Sequence, residues 1–183
     1  SASTKRHPSR ITARYGCTKE GDLVAYEVDG DFDTGAYVSW GLTVKDRVPV
    51  HATGPYFVPH VKARARGIFT NGTPAGAFRG FGIPQAAIAH DNLMDRMAEA
   101  IGMDPLEFRL RNAIRKGQET ATGQLLEYSA GLDQCLEALR DPWRKARAEA
   151  EKFNAETDGV KRRGVGVGCM WYGCGNTSLS NPS

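Results

Sequence analysis

The sequence predicts an α+β fold: a β-rich N-terminal half, a glycine-rich loop, then helices and a final strand. Three observations carry that prediction. Apolar side chains recur at every second position in runs up to Phe69, the period of half-buried strands. Past Pro84 the apolar spacing lengthens to the 3.6-residue period of a helix. After Gly164, glycine alternates with valine, as in a strand packed closely against another. Four segments follow: residues 1–75 β-rich, 76–85 a glycine-rich loop, 86–157 helical, and 160–175 a strand entering a further subdomain.

From Arg10 to Thr18, the residues Ile11, Ala13, Tyr15 and Cys17 share one face. Lys19-Glu20-Gly21-Asp22 supplies turn chemistry, and Leu23 to Asp29 returns as a strand with Val24, Tyr26 and Val28 on one face. Asp29, Asp31 and Asp33 alternate, but the other ligands of a calcium loop are missing, so a solvated turn is expected there. Asp33-Thr34-Gly35 is expected to turn into a short strand, Ala36-Tyr37-Val38. Residues 41–59 carry prolines and no clean period, which predicts irregular chain with one helical turn. His51 and His60 stand alone, with surface or capping roles expected. Along Val61 to Phe69, Val61, Ala63, Ala65, Gly67 and Phe69 face one way, and Lys62, Arg64 and Arg66 the other. That basic ladder suits a solvated face, with phosphate or subunit contact as the other option.

Beyond Pro84, Ala87, Met94, Met97 and Ile101, flanked by Ile88 and Ala98, make one apolar stripe that Gly102 ends. Asp104, Pro105 and Glu107 spell a helix start with an N-cap, a proline at the first position and a capping-box glutamate. Leu106, Leu110, Ala113 and Ile114 form its buried side. Residues 118–128 read as a polar connector. Leu132, Cys135, Leu136 and Leu139 follow as a helical stripe, which Asp141-Pro142 interrupts before Trp143, Ala146, Ala150 and Phe153 resume one.

A formal net charge of +3 and a pI near 8.7 are too mild to imply nucleic acid. No apolar run approaches the ~20 residues of a membrane span. Cys17, Cys135, Cys169 and Cys174 lack the spacing of zinc or iron–sulfur sites, so reduced thiols in a cytoplasmic protein are expected. The chain opens without methionine and ends at Asn181-Pro182-Ser183, which reads as a piece of a larger protein. No pair of carboxylates suited to acid–base work is visible, so no catalytic residue is assigned to this chain.

The stretch Gly76-Ala77-Phe78-Arg79-Gly80-Phe81-Gly82-Ile83-Pro84-Gln85 concentrates the chemistry. Glycines allow close backbone approach and positive φ. The following helix aims its unpaired amides at the same place, which favours an anionic ligand. Arg79 adds a planar fork of donors, and Phe78 and Phe81 can stack on a flat molecule. The other reading is a strand-to-helix turn whose aromatics are core. Neither a P-loop lysine nor a dinucleotide GxGxxG is present, which argues against a nucleotide.

Ala77-Phe78-Arg79-Gly80-Phe81-Gly82-x-Pro84-Gln85 resembles the signature loop of the molybdenum-cofactor subunit in the xanthine dehydrogenase/aldehyde oxidase family. Lys5-Arg6-His7-Pro8 and the run Asp22 to Asp29 resemble that family's paired strands. Gly102 to Arg109 with Arg111-Asn112 resembles its helix pair, and Lys161-Arg162-Arg163-Gly164 the start of its next strand. The likeness is collinear from Lys5 to Gly168. It implies a molybdenum hydroxylase that oxidatively hydroxylates aldehydes or purine-like N-heterocycles with oxygen from water. Its cofactor is molybdopterin-bound molybdenum, in some relatives as the cytosine dinucleotide form. On this resemblance Phe78, Arg79 and Gly80 bind the cofactor, with Arg79 beside the molybdenum without ligating it. Phe81 and Arg47 contact substrate, Arg47 by its spacing ahead of the loop. Iron–sulfur clusters and FAD sit on other domains or subunits, which with the remaining molybdopterin-domain chain are the expected partners. The base glutamate lies elsewhere too: the sequence has neither the family's Gly-Gln-Gly loop nor its Gly-Glu segment, so the chain alone is expected to be inactive. The rival reading is a scaffold or subunit-interaction piece that binds no cofactor.

Overall fold

A computed structural model describes residues 3–173. Its elements run β1 (Ser9–Cys17), β2 (Leu23–Gly35), α1 (Gly41–Val50), β3 (His60–Phe69), α2 (Ile83–Ile101), α3 (Pro105–Asn112), α4 (Leu132–Ala138) and α5 (Arg140–Glu156). The α+β expectation of strands followed by helices holds. The sheet order is β1-β2-β3, with β1 antiparallel and β3 parallel to β2. A parallel neighbour requires a crossover, and α1 lies in it.

The charged ladder of β3 is answered by the strand beside it. Parallel register sets Glu27 opposite Lys62, Asp29 opposite Arg64 and Asp31 opposite Arg66. Arg64 Nε donates to Asp29 at 2.6 Å, and Arg66 reaches both Asp29 and Asp31 at 2.5 Å. The Arg66 bond, then those of Arg64, hold the Asp29 carboxyl below its ordinary range. So Asp29, Asp31 and Asp33 lie in a strand instead of the expected turn, and β2 runs on to Gly35. Two complementary charge rows attract across a shared register, which no single-strand pattern reveals.

Each end of β2 slips register by one residue. Gly16 pairs with Ala25 but Cys17 with Leu23, leaving Val24 as the extra residue. The bulge turns Leu23 inward and Val24 outward, the reverse of the expected alternation. At the far end Asp33 pairs with Ile68 but Gly35 with Phe69, and Phe69 is exposed. The strand expected at Ala36-Tyr37-Val38 is a turn: Gly35 at φ 72° and Ser39 at φ 43° bring the chain round into α1. That helix occupies what was expected to be irregular chain. Val44 and Val48, one turn apart, bury one face, and Pro49 is tolerated near its end.

The inner face of the sheet packs Leu23, Tyr26 and Val28 against Met94 and Ala98 of α2 and Leu106 and Phe108 of α3. Burying each large side chain contributes roughly 1.5–3 kcal/mol. The α2 stripe is rotated from expectation: Ile83, Ala86, His90, Met94 and Ala98 are buried, while Ile88 faces out. Asp104 caps α3 as expected, accepting from Leu106 N at 2.8 Å and Glu107 N at 3.3 Å. Glu107 itself pairs with Arg140 across to α5 instead of closing a capping box. Residues 160–173 form no strand among the described residues. Strands need a hydrogen-bonded neighbour, and here Asn154 grips both backbone groups of Arg163 at 2.8 Å instead. Val167 and Cys169 then lie against the core. Cys174 falls outside the described residues.

Candidate functional site

The loop 76–85 lies where the N-terminal arm, α1 and the start of α2 converge. Gly80, Phe81 and Gly82 have φ of 91°, 45° and 91°, three consecutive residues in the left-handed region. Glycine adopts this freely, while Phe81 is strained there. Two turns fix the path: Phe81 N donates to Phe78 O and Ile83 N to Gly80 O, both at 2.9 Å. The amides of Arg79, Gly80 and Gly82 have no acceptor among the described residues. Side chains are excluded at both glycines. A Cβ on Gly82 would stand 2.5 Å from Val44 O, and one on Gly80 2.6 Å from the Pro84 ring. Gly82 caps α2, Pro84 occupies its first turn, and free amides at this positive helix end favour an anion.

The side chains divide by face. Phe78 and Arg79 are exposed on the rim. Arg6 lies over the Phe78 ring at 4.8 Å and donates through Nη2 to Arg79 O at 2.6 Å. Phe81 points to α1, edge-on to Trp40 at 6.2 Å between ring centres. Arg47 of α1, 3% exposed, sets its guanidinium 5.9 Å from the Phe81 ring and 5.6 Å from the Tyr172 ring. Arg47 and Phe81, 34 residues apart in sequence by their numbers, are thus brought together, while Arg79 stands apart from them. The His51 ring stacks on Tyr172, donates from Nδ1 to Arg47 O at 3.0 Å and accepts from Gly173 N at 3.0 Å through Nε2. Burial, then the Arg47 charge, depress its pKa, so the neutral tautomer is held. His51 therefore caps α1 from the interior instead of the surface, whereas His60 is exposed.

Several members of this site carry no separate signal in the sequence. Arg6 and His7 belong to a run expected to be strand, yet the arm forms only an isolated parallel bridge, Lys5 to Ala75. His7 is buried, with both ring nitrogens unpartnered among the described residues and its pKa lowered by burial. Its carbonyl accepts from Gln85 Nε2 at 3.3 Å. Trp40, Gln85 and Tyr172 join through contacts that no spacing rule encodes.

A second buried polar cluster is structural. Arg109, with no exposed surface, donates to Asp95 at 2.6 Å and Asp91 at 3.0 Å. Asp91 also accepts from Tyr56 at 2.7 Å and from Cys169 N at 3.3 Å. Every polar arm of Asp91 is used to tie α2, α3 and the tail together. No group of three or more potential metal ligands occurs among the described residues. A cleft of about 760 Å³ lined by Met103, Glu107, Arg111 and Arg140 shares no residue with the loop. Within the loop Ala77, Phe78 and Arg79 are exposed, while Gly76, Gly82, Ile83 and Gln85 are buried.

Comparison with known proteins gives a consistent result. The molybdopterin cofactor-binding domain family matches residues 1–113. The chain is 48% identical over 139 residues to the nicotinate dehydrogenase large molybdopterin subunit of Eubacterium barkeri, covering 76% of this chain and 33% of that one. It is 38% identical over 180 residues to the xanthine dehydrogenase molybdenum-binding subunit of Escherichia coli O157:H7, covering 93% and 22%. The aldehyde oxidoreductase structure from Desulfovibrio gigas superposes with a TM-score of 0.78 at 36% identity, covering 81% and 16%. The chain thus spans a third or less of these relatives' length.

Proposed function

The chain belongs to the molybdopterin cofactor-binding family, and on that premise we propose that its loop 76–85 meets cofactor and substrate in an oxidative molybdenum hydroxylase. One observation carries the reading. One short loop carries both exposed Arg79 with the unpaired amides at the α2 N-terminus and Phe81, which meets buried Arg47. The first set fits an anionic, oxygen-rich cofactor and the second a flat substrate with a polar edge.

When bound, the cofactor supplies two-electron redox chemistry with water as the source of oxygen. Phe78, Arg79 and Gly80 would hold it: Arg79 and the free amides offer donors to its oxygens, and Phe78, backed by Arg6, keeps the rim in place. Arg79 would stand beside the metal without ligating it. Phe81 would stack on the substrate ring, and Arg47 would polarise a carbonyl of the heterocycle as negative charge develops on its oxygen. An N-heteroaromatic substrate suits that pair, and the relative with 48% identity is named for nicotinate. An aldehyde is the second reading, supported by the similarity to aldehyde oxidoreductase. The cytosine dinucleotide form of the cofactor, iron–sulfur and flavin partners, and a glutamate base supplied outside this chain complete the proposal. A cytoplasmic location fits the free thiols of Cys17, Cys135 and Cys169.

The test is Arg79→Ala in the intact protein, made with cofactor synthesis in place. Molybdenum per chain or turnover of nicotinate, purines and aldehydes should fall by about 10²-fold or more, since a donor in a water-excluded site contributes on that scale. Wild-type molybdenum content and turnover together would overturn the role given to Arg79, whereas absence of molybdenum from the unmutated intact protein would favour the scaffold reading.

A further inference from the structure

The N-terminal arm grips the loop at three places. At its start, Gly76 N donates to Lys5 O at 3.1 Å, beside the parallel bridge from Lys5 to Ala75. In its middle, Arg6 Nη2 donates to Arg79 O at 2.6 Å while the guanidinium covers the Phe78 ring. At its end, Gln85 Nε2 donates to His7 O. The arm packs closely: a Cβ on Gly76 would fall 3.1 Å from Thr4, and one on Gly80 3.7 Å from Arg6 Nη1.

We propose that this arm is a strap that holds the loop in its strained path, and that Arg6 is its positioning residue. The proposal rests on the reading of 76–85 as the cofactor loop. Phe81 at φ 45° persists only where its surroundings over-determine it. Its own two turns act locally, so an anchor from outside must oppose relaxation. Arg6 is that anchor, 73 residues away in sequence. Its position is not that of a solubilising arginine. Nη1 is buried with no hydrogen-bond partner among the described residues, a state a surface side chain escapes by swinging into water. Holding Arg79 O turns the carbonyl of the 79–80 peptide toward the arm, so the amide of Gly80 points away from it, on the side where a ligand oxygen would sit. Arg6 thus acts on the cofactor through the loop.

The experiment uses the intact protein carrying Arg6→Ala and, separately, Arg6→Lys, which keeps a charge and a donating nitrogen but not the planar fork. Amide hydrogen exchange in the cofactor-free form and molybdenum retained during dialysis of the loaded form are read side by side. In Arg6→Ala, exchange of the Phe81 and Ile83 amides, which close the loop's two turns, should quicken about tenfold, the scale of one charge-assisted hydrogen bond, with residues 94–101 unchanged. Molybdenum loss should quicken by a similar factor, and Arg6→Lys should recover part of both. Unchanged exchange at the Phe81 and Ile83 amides overturns the strap, as does a rise spread over the whole chain. Faster loop exchange with wild-type molybdenum retention overturns the positioning role and counts against the loop as a cofactor site. Unchanged exchange with molybdenum still lost in Arg79→Ala defeats the strap alone. Should Arg6→Ala fail to fold, Arg6→Lys decides on the same two readings.

Discussion

Phe81 offers a test whose sign is unusual. It is the non-glycine member of the left-handed triplet 80–82, at φ 45°. An L-residue held there costs roughly 1–2 kcal/mol. Glycine escapes that strain but loses roughly 0.4–1 kcal/mol through its freer unfolded chain. Phe81→Gly should therefore be more stable than Phe81→Ala by about 0.5–1 kcal/mol. In an ordinary helix or strand the order is the opposite, by a similar amount. Both variants lose the same ring. The edge contact with Trp40 is worth about 0.5–1.5 kcal/mol and the Arg47 cation about 0.5–2 kcal/mol, so both should fall below the wild type. Equilibrium urea unfolding of the three proteins, fitted with a common slope, measures the differences. An alanine variant as stable as the glycine variant would refute the strained-loop argument. Under the proposed function both should also lose turnover of aromatic substrates about tenfold or more, because each removes the stacking surface.

Three further perturbations follow. Gly82→Ala should cost more than about 2 kcal/mol, since its Cβ meets Val44 O at 2.5 Å and its φ is 91°; Gly102→Ala, at φ 70° with open space around it, should cost about 1 kcal/mol, and thermal melting should separate the two. Arg109→Met should destabilise by about 3–5 kcal/mol, because it leaves the largely buried Asp91 carboxylate without its cation; adding Asp91→Asn should return part of that loss in the same unfolding assay. Burial holds His90 neutral down to about 4, whereas unfolded histidine takes its proton near 6.5. Between those values the unfolded state binds more protons, so stability rises with pH through this window. It is fully present above 6.5 and lost as pH falls to 4, on the order of 3 kcal/mol in all. His7 and His51, also depressed by burial, act in the same direction, and a His90→Gln variant should flatten the acid limb of a stability–pH curve.

The features legible in the residues alone are those that local chemistry writes. Period-two runs marked β1 and β3, and Asp104-Pro105 marked the start of α3, because pleat, helix period and caps depend on residues a few positions apart. The loop's glycines and Pro84 showed where the chain departs from regular structure, and collinear motifs pointed to the family. Tertiary structure alone decided the rest. Register placed Asp29 and Asp31 against Arg64 and Arg66, and bulges reversed Val24 and exposed Phe69, because pairing is a relation between strands. Packing against the sheet made a helix of residues 41–50, whose own pattern is weak, and thereby put Arg47 against Phe81. The arm's grip on Arg79 joins residues 73 apart, and such a contact is favourable only once the core has already met the entropy of closing the loop between them.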